Sequence, residues 1–378
     1  MKLSCLKENL AAGLGIVGKV VPSKSTLPVL SNVLLATEHG QLKLVGTDLE
    51  MAISHWVGAK VEAPGAVTLP ARLLSELVGY LPNDRVDLEL EPGTQTVRIA
   101  CGRTEAKLRG IAADEFPSVV AGEPTTVQRV ATAALRQGIE QVAFAAAADD
   151  SRPVLAGVLL EFTEDRLRLV AADGFRLALR TVRLEGAVTD AVRAIVPARG
   201  MRELARILPE DEGEQVEVGL VSGRNQVVFR FPRTEVVARL VEGQFPDYQR
   251  ILPRSFVTRA VLSGQEFLQA IRLASVIAQN NNHIVYLDLH PSGEDLAPGR
   301  VLVRGRAAEV GEDAAELDAS IEGQAMEIAF NGKYLRDALE SLKGGDAALE
   351  ISGATSPGIL RPVADEEYLH VIMPIHLK

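Results

Sequence analysis

Gly13-Leu14-Gly15-Ile16-Val17-Gly18 has the G-x-G-x-x-G spacing that lets a backbone turn approach a pyrophosphate. Glu38 stands 20 residues beyond Gly18, where an acidic side chain would meet a ribose hydroxyl. That chemistry needs the glycines to follow a strand and open a helix. Here Leu6, Leu10, Leu14 and Val17 already recur near helical spacing, so the glycines fall inside a helix and read as packing positions. Asp149-Asp150 offers a carboxylate pair, but the run Asp-Asp-Ser-Arg-Pro reads as a polar turn. His39, His55, His283, His290, His370 and His376 are scattered without ligand spacing, and no Walker, His-Glu-x-x-His or Gly-x-Ser-x-Gly motif occurs. Cys5 and Cys101 are too few for a disulfide framework or a zinc site. None of these patterns carries catalysis, a metal or a cofactor.

The functional residues that recur are basic. Arg72, Arg199 and Lys333 fall at equivalent places in three segments, 69–77, 195–209 and 330–339. Arg202 and Arg336 are equivalent too, with Ser75 in the first segment. Leu74/Leu77/Leu81, Met201/Leu204/Leu208 and Leu335/Ala338/Leu342 form the core-facing stripe of a helix in each. Arg199, Arg202 and Arg206, at i, i+3 and i+7, line another side of theirs. Such a surface suits phosphate contacts, which position without reading sequence. Few aromatics interleave with these bases, so stacking on single strands is not favoured.

The helices belong to a longer repeat. Residues 27–35 recur as 152–160, and 46–52 as 171–177. Pro28 to Pro153 and Asp48 to Asp173 are both 125 positions apart, and Pro70 to Pro197 is 127. A chain of 378 residues exceeds what one hydrophobic core usually supports, and it divides into three copies of about 126. Each copy reads as βαβββ twice, an α+β class with boundaries at 1–123, 124–253 and 254–378. Opening helices are expected from Leu135, Ile139 and Val142, and from Phe267, Ile271, Ala274 and Ile277. Phe116-Pro117 and Phe245-Pro246 suit linkers, because the residue before proline is pushed extended. The acidic stretch 309–316 reads as a solvated loop.

Apolar residues at 47% and charged residues at 24% describe an ordinary globular protein, and no run approaches a membrane span. The start has no signal-peptide core, and a reducing cytoplasm is the expected location. A net charge of −10 argues against a uniformly basic nucleic-acid binder but not against one that confines its bases to one face. Residues 371–377 are mostly apolar: a core strand, or part of a groove for partners.

Residues 27–35, 47–51, 152–160, 170–177, 195–208, 245–248 and 373–377 together resemble the beta subunit of bacterial DNA polymerase III, the replicative sliding clamp. The resemblance implies a DNA-clamp fold with three domains per chain. Two chains would join head to tail into a ring around duplex DNA, with helices inside and sheets outside. It implies a non-catalytic processivity factor. Its partners would be the replicative polymerase catalytic subunit, the clamp loader and other clamp-binding-motif proteins.

The family's partner groove maps onto Leu155, Ala172, Gly174, Phe175, Arg176 and Leu177 in the second copy, and onto Pro246, Arg250 and Ile251 after it. From the third copy come Thr355, Pro357, Val371, Ile372, Met373, Pro374, Ile375, His376 and Leu377. Lys24 and the loop 149–153, with Arg152, fall at positions that touch DNA in the family, and Arg136 and Arg272 on the opening helices join the recurring bases. Ala106 and Leu108 should meet Val276 and Ile277 of the other chain. Two rivals remain: a dinucleotide-binding enzyme using Gly13–Gly18, and a three-domain scaffold without nucleic acid.

Overall fold

A computed structural model describes the chain except for residues 120, 150, 189–190, 211–212, 222, 254, 293–297, 310 and 377–378. The first copy runs β1 (Lys2–Leu6), α1 (Lys7–Val17), β2 (Asn32–Glu38), β3 (Gln41–Thr47), β4 (Met51–Val57), β5 (Ala59–Ala63), β6 (Ala66–Pro70), α2 (Ala71–Tyr80), β7 (Arg85–Leu90), β8 (Thr96–Cys101) and β9 (Thr104–Arg109). The second runs β10 (Thr126–Ala131), α3 (Thr132–Val142), β11 (Gly157–Thr163), β12 (Arg166–Ala172), β13 (Arg176–Arg183), β14 (Val192–Pro197), α4 (Ala198–Ile207), β15 (Gln215–Val221), β16 (Gln226–Phe231) and β17 (Thr234–Arg239). The third runs β18 (Thr258–Ser263), α5 (Gly264–Ala278), β19 (Ile284–His290), β20 (Gly299–Ala307), β21 (Gly311–Gly323), β22 (Met326–Asn331), α6 (Gly332–Ser341), β23 (Asp346–Ile351), β24 (Gly358–Pro362) and β25 (Tyr368–Ile372). The class is α+β, with strand, helix and three strands twice per copy; the first copy adds β5, which follows β4 after Gly58.

Each helix starts where a strand ends. Pro70 and Pro197 close their strands and precede α2 and α4, where a missing N–H costs nothing. Asn331 caps α6 by accepting from the Lys333 amide at 2.9 Å.

The chain forms two compact units, residues 1–133 with 203–240, and residues 134–202 with 241–378. The first holds a five-stranded sheet, β5-β1-β7-β8-β9, and an eight-stranded sheet, β10-β15-β16-β17-β4-β3-β2-β6. The second holds one twelve-stranded sheet, β14-β11-β12-β13-β25-β24-β23-β18-β21-β20-β19-β22. In the first unit α1 packs on β3 and β4 through Leu10, Leu14 and Val17. In the second, α5 and α6 bury Phe267, Ile271, Leu335 and Ala338 in a core with Phe330, Leu349 and Leu360. Apolar area removed from water at about 25 cal/mol per Å² drives this packing.

Three local expectations change. Leu6 is 57% exposed because it ends β1, and the helix begins one residue later. In α2 and α5 the buried positions include Val78 and Ala278, while Leu77 and Ile277 are half-buried. Of the stretch 309–316, residues 311–316 are no loop: they open β21, the longest strand described. Its exposed Glu312, Glu316 and Asp318 alternate with half-buried Asp313, Ala315 and Leu317. Composition suggested solvent, but the alternation satisfies a sheet with one wet face. Arg300–Glu316 at 2.9 Å and Arg306–Glu312 at 3.3 Å carry the acidic charge across the ladder to β20. No helix among the described residues is long and apolar enough to cross a membrane.

Gly13 lies within α1 with no room for a side chain: a Cβ there would stand 2.9 Å from His55, Leu44 and Val57. Gly13→Val should therefore cost about 1–3 kcal/mol by overpacking, seen as a lower melting temperature; parent-like melting would mean that α1 does not seat on β3 and β4.

Candidate partner groove and nucleic-acid interface

The C-terminal strand is laid against the second copy by backbone pairing. β25 runs antiparallel to β13, with Leu177 opposite Val371 and Leu179 opposite Leu369, and β24 continues the row with Ile359 opposite Val371. Ala172 stands opposite Leu177 on the other side. Side chains opposite one another share a face, and this face is apolar. Leu155, Leu159, Val170, Ala172, Leu177, Val371 and Ile359 form one buried cluster, with Phe245 and Tyr248 packed on it and Ile251 alongside. Tyr248 Oη donates to Glu161 Oε2 at 2.7 Å and pins that segment to β11.

The rim is a turn and a tail. Asp173 Oδ1 accepts from the amides of Phe175 and Arg176 at 2.9 and 3.0 Å, and Gly174 takes φ 95° at the tip. A Cβ on Gly174 would stand 2.8 Å from the movable Arg152 guanidinium, so it is the positive φ that favours glycine there. Phe175 is 59% exposed. Beyond β25 the Met373 amide donates to the Phe175 carbonyl at 2.9 Å and the Ile375 amide to the Ala329 carbonyl at 2.8 Å. Met373, Pro374 and Ile375 are thereby held half-exposed, with His376 exposed after them.

The sequence-selected residues are thus partly gathered. Leu155, Ala172, Leu177, Val371 and Ile251 belong to one cluster, and Gly174, Phe175 and Met373 lie at its rim. Pro246, Arg250 and Thr355 are exposed on flanking loops, Arg250 paired with Asp247 at 2.8 Å, and Pro357 is half-buried before β24. Ile372 alternates to the opposite face and joins the core around Phe330. Leu377 lies outside the described residues. Phe245 and Tyr248 fall in the segment that the sequence marks as a linker and as part of the resemblance; two aromatics at i and i+3 in such a segment are a signal of docking onto a core.

Arg176 secures the far side. Its guanidinium bonds Asp173 at 3.1 Å, Asp337 at 2.7 Å and the Phe144 carbonyl at 2.9 Å. It lies 4.5 Å from the Tyr334 ring centroid and 5.4 Å from that of Phe144. Arg176 is therefore a clasp within the unit as well as a rim residue. Beside it His370 is fully buried, stacked on Phe144 at 5.5 Å. Burial, and then the nearby Arg176 charge, push its pKa down to about 3.

The basic positions divide by their partners. Lys24, Arg72, Arg199 and Lys333 are exposed, and among the described residues none has a carboxylate within salt-bridge distance. Arg206 pairs with Glu203 at 2.8 Å, Arg272 with Glu340 at 2.8 Å and Arg336 with Asp337 at 3.3 Å. Arg202 donates to the Ala143 carbonyl at 2.9 Å, and Arg136 is half-buried on α3. Arg152 donates to the Asp173 carbonyl at 3.0 Å, so part of its charge serves the turn. Arg199, Arg202 and Arg206 do share the exposed side of α4, opposite buried Met201 and Leu204.

The rival dinucleotide reading fails on geometry. α1 begins at Lys7, so Gly13 and Gly15 are mid-helix and no helix N-terminus faces a phosphate. Asp149 closes a turn by accepting from the Ser151 amide at 3.0 Å, and Asp150 lies outside the described residues. Of the joint residues, Val276 is 61% exposed, Ala106 and Ile277 are half-buried, and Leu108 is buried in its own unit.

His370 makes the fold acid-sensitive. Its proton is bound in the unfolded chain below about pH 6.5 and excluded from the fold down to about pH 3. Stability is therefore fully present above pH 6.5 and declines as pH falls through that window. His55, pushed by burial and Arg233 to about 4, adds in the same direction. His370→Phe should flatten the pH dependence of denaturant unfolding between pH 6 and pH 4; an unchanged slope would place the titration elsewhere.

Comparison with known proteins accounts for almost the whole chain. Residues 1–120, 129–247 and 249–376 match the N-terminal, central and C-terminal domains of the DNA polymerase III beta subunit. A beta sliding clamp from Synechococcus elongatus is 33% identical over 381 residues, covering 100% of both chains. The crystal structure of the DNA polymerase sliding clamp from Bacillus subtilis aligns with TM-score 0.93 at 28% identity, and that of the DNA polymerase III beta subunit from Pseudomonas aeruginosa with TM-score 0.92 at 32% identity, each covering 100% of both chains. Three repeats, recurring helical bases and these full-length matches place the chain in the DNA polymerase III beta subunit family, the DNA sliding clamps.

Proposed function

We propose that two copies of this chain close head to tail into a cytoplasmic ring that encircles duplex DNA. The groove beside the C-terminal tail then tethers the replicative polymerase, the clamp loader and other clamp-binding-motif proteins. Each copy acts as one domain, 1–123, 124–253 and 254–378, and the chain works without catalysis.

One observation carries the ring: a pairing rule that stops one step short. β4, fourth strand of the first half of copy one, pairs with β17, last strand of copy two. β13, its equivalent in copy two, pairs with β25, last strand of copy three. β21 is the next equivalent, and along residues 311–319 its one strand partner among the described residues is β20. β9, last strand of copy one, likewise has β8 as its one strand partner among the described residues. The rule is completed when β21 of one chain takes β9 of another, twice, in a closed heterologous pair. Such long edges invite pairing unless covered. Their net charges are opposite: Glu312, Asp313, Glu316 and Asp318 on β21, and Arg103, Lys107 and Arg109 against Glu105 on or beside β9. Val276 and Leu273, exposed on α5, supply apolar area to the joint.

The helical bases give sequence-independent phosphate contacts. Weak contacts suffice, since a closed ring holds DNA topologically and must slide. The groove supplies an apolar slot with an adaptable Met373 at its rim, suited to short peptides with apolar anchors.

Light scattering at micromolar concentration should give twice the 40.5 kDa chain mass, and Val276→Asp should shift the protein to monomer by burying an unpaired charge. Loaded on circular DNA, the parent should survive salt that strips it from short linear duplex, and leave when the circle is cut. Equal salt sensitivity on both substrates, or a parent that is monomeric throughout, refutes the ring.

Truncation after Pro374 removes the tail's bond to Ala329, and Met373→Ala removes a rim anchor. Each should weaken a polymerase-tail peptide by about 1 kcal/mol or more while leaving the dimer mass unchanged. Calorimetry that finds parent affinity in both, with both still folded, puts the groove on the wrong surface.

A further inference from the structure

Six strands open the half-copies: β1, β6, β10, β14, β18 and β22. Each joins its sheet by one side and turns the other outward, where backbone N–H and C=O groups need partners. Five of the six find chain there. β1 is covered by β5, and β18 by residues 320–323 of β21. Thr68 of β6 exchanges two backbone bonds with Ile111, at 3.0 and 3.1 Å. The Val241 amide donates to the Ile195 carbonyl of β14 at 2.8 Å, and the Ile375 amide to the Ala329 carbonyl of β22 at 2.8 Å. β10 is the exception: among the described residues its one strand partner is β15.

The segment equivalent to the cover is engaged elsewhere. β5 follows β4 directly, and its equivalents 125 positions on are residues 184–188. There the amide of buried Leu184 donates to the Asp165 carbonyl at 2.8 Å and the Val188 amide to the Glu164 carbonyl at 2.7 Å, so the segment closes on the turn between β11 and β12. Thr189 and Asp190 lie outside the described residues. Burial along β10 follows the same difference. Counted from the helix that follows, Gln128 sits where Leu3 stands in β1 and Ala260 in β18. Leu3 is 2% exposed and Thr258 and Ala260 are 0% exposed, whereas Thr126 and Gln128 are only half-buried. Residues 126–129 are the equivalents of the part of β18 that β21 covers. Val127, on the outward face, is 44% exposed. The usual protections of an edge are missing: β10 has no proline or lysine, and its single charge, Arg129, pairs with Glu217 on β15 at 3.0 Å.

We propose that the open edge of β10 is a docking site for an extended segment of a partner protein, which adds to it as an antiparallel strand. The other copies supply the template. β5 and β21 each set a branched apolar residue on the inward face, Val61 opposite Leu3 and Ile321 opposite Ala260. Each also sets an acid by an outward base, Glu62 at 3.4 Å from Lys2 and Glu322 opposite Arg259. At that outward place copy two has Val127, so the strand that fits exchanges the acid for an apolar residue. The partner segment is therefore uncharged at two successive positions, branched and apolar over Gln128 and apolar over Val127. Backbone bonds hold it, and these two side chains select it. A second copy's β10 does not meet the pattern. The antiparallel register that sets its Val130 over Gln128 also sets Arg129 over Arg129, and like charges directly opposite are destabilising.

The test is hydrogen exchange of the full-length protein with acetyl-Lys-Ser-Ile-Val-Gly-Lys-amide, which is residues 320–323 with valine in place of the acid and lysines for solubility. The peptide should slow exchange of the β10 amides. Two twins carry an N-methyl group, one on the isoleucine and one on the valine. One twin should lose binding and the other keep it, because successive amides of a strand face opposite edges. Val127→Lys, a change at an exposed side chain, should weaken binding about threefold or more, and Val127→Ile should bind like the parent. Truncation after Pro374 should leave the protection of β10 intact, which separates this edge from the groove. Loss with both twins, or with neither, overturns strand addition. So does protection that spares β10, or no protection at millimolar peptide. Light scattering that finds assemblies of more than two chains, dispersed by Val127→Lys, gives the edge to a second copy and overturns the partner segment.

Discussion

Two antiparallel ladders hold this chain together, β4 against β17 and β13 against β25. The first and second copies each leave the fourth strand of their first half without an outer neighbour of their own, and the last strand of the following copy fills that place. An unpaired buried backbone group costs as much as a lost hydrogen bond, so such an edge must be satisfied by chain or by water. The repeat therefore makes each copy depend on the next. The second copy is consequently divided between the two compact units, since its first half pairs with the third copy and its second half with the first.

The candidate groove is a consequence of the second ladder. Where β25 meets β13, Leu177 and Val371 are forced onto one face and Arg176 and Ile372 onto the other, because side chains alternate along a strand. The first pair joins the apolar cluster under the rim. The second pair faces the helices, where Ile372 enters a core and Arg176 needs partners for a buried charge. It finds Asp173, Asp337, the Phe144 carbonyl and the Tyr334 ring. Breaking such a network would leave a charge uncompensated. The seam that forms the groove and the clasp that stabilises it are thus two faces of the same few residues.

The first ladder follows the same rule with different side chains, and the outcome diverges. At the equivalent of Arg176 stands Met51, which needs no ionic partners. At the equivalent of Met373 stands Arg239, which stays exposed. Backbone geometry is preserved by the Asp48 and Asp173 turns, while packing density and charge are free to vary with the side chains. A duplicated frame can in this way carry two surfaces of unlike chemistry.

Much of this was legible in the sequence because repetition is a property of the sequence. Three copies, paired halves, the α+β class and the core stripes of α4 and α6 followed from spacing alone, since helix and strand periods are local. The failures were failures of context. The acidic stretch 309–316 looked like a solvated loop, yet its residues 311–316 open a thirteen-residue strand, because alternation against β20 outweighs mean polarity. Arg152, chosen for nucleic acid, spends part of its charge on the Asp173 carbonyl, and Arg206, Arg272 and Arg336 face carboxylates that lie three, 68 and one positions away. Ile372 belongs to the run that resembles a groove wall but points into a core. The sequence by itself determined the repeat, the element order and which positions carry charge, for these depend on near neighbours. Only the tertiary structure decided which face of β25 joins the apolar cluster and which arginines are spoken for, because β25 reaches β13 from nearly 200 residues away and a side chain's partner is set by packing rather than by distance along the chain.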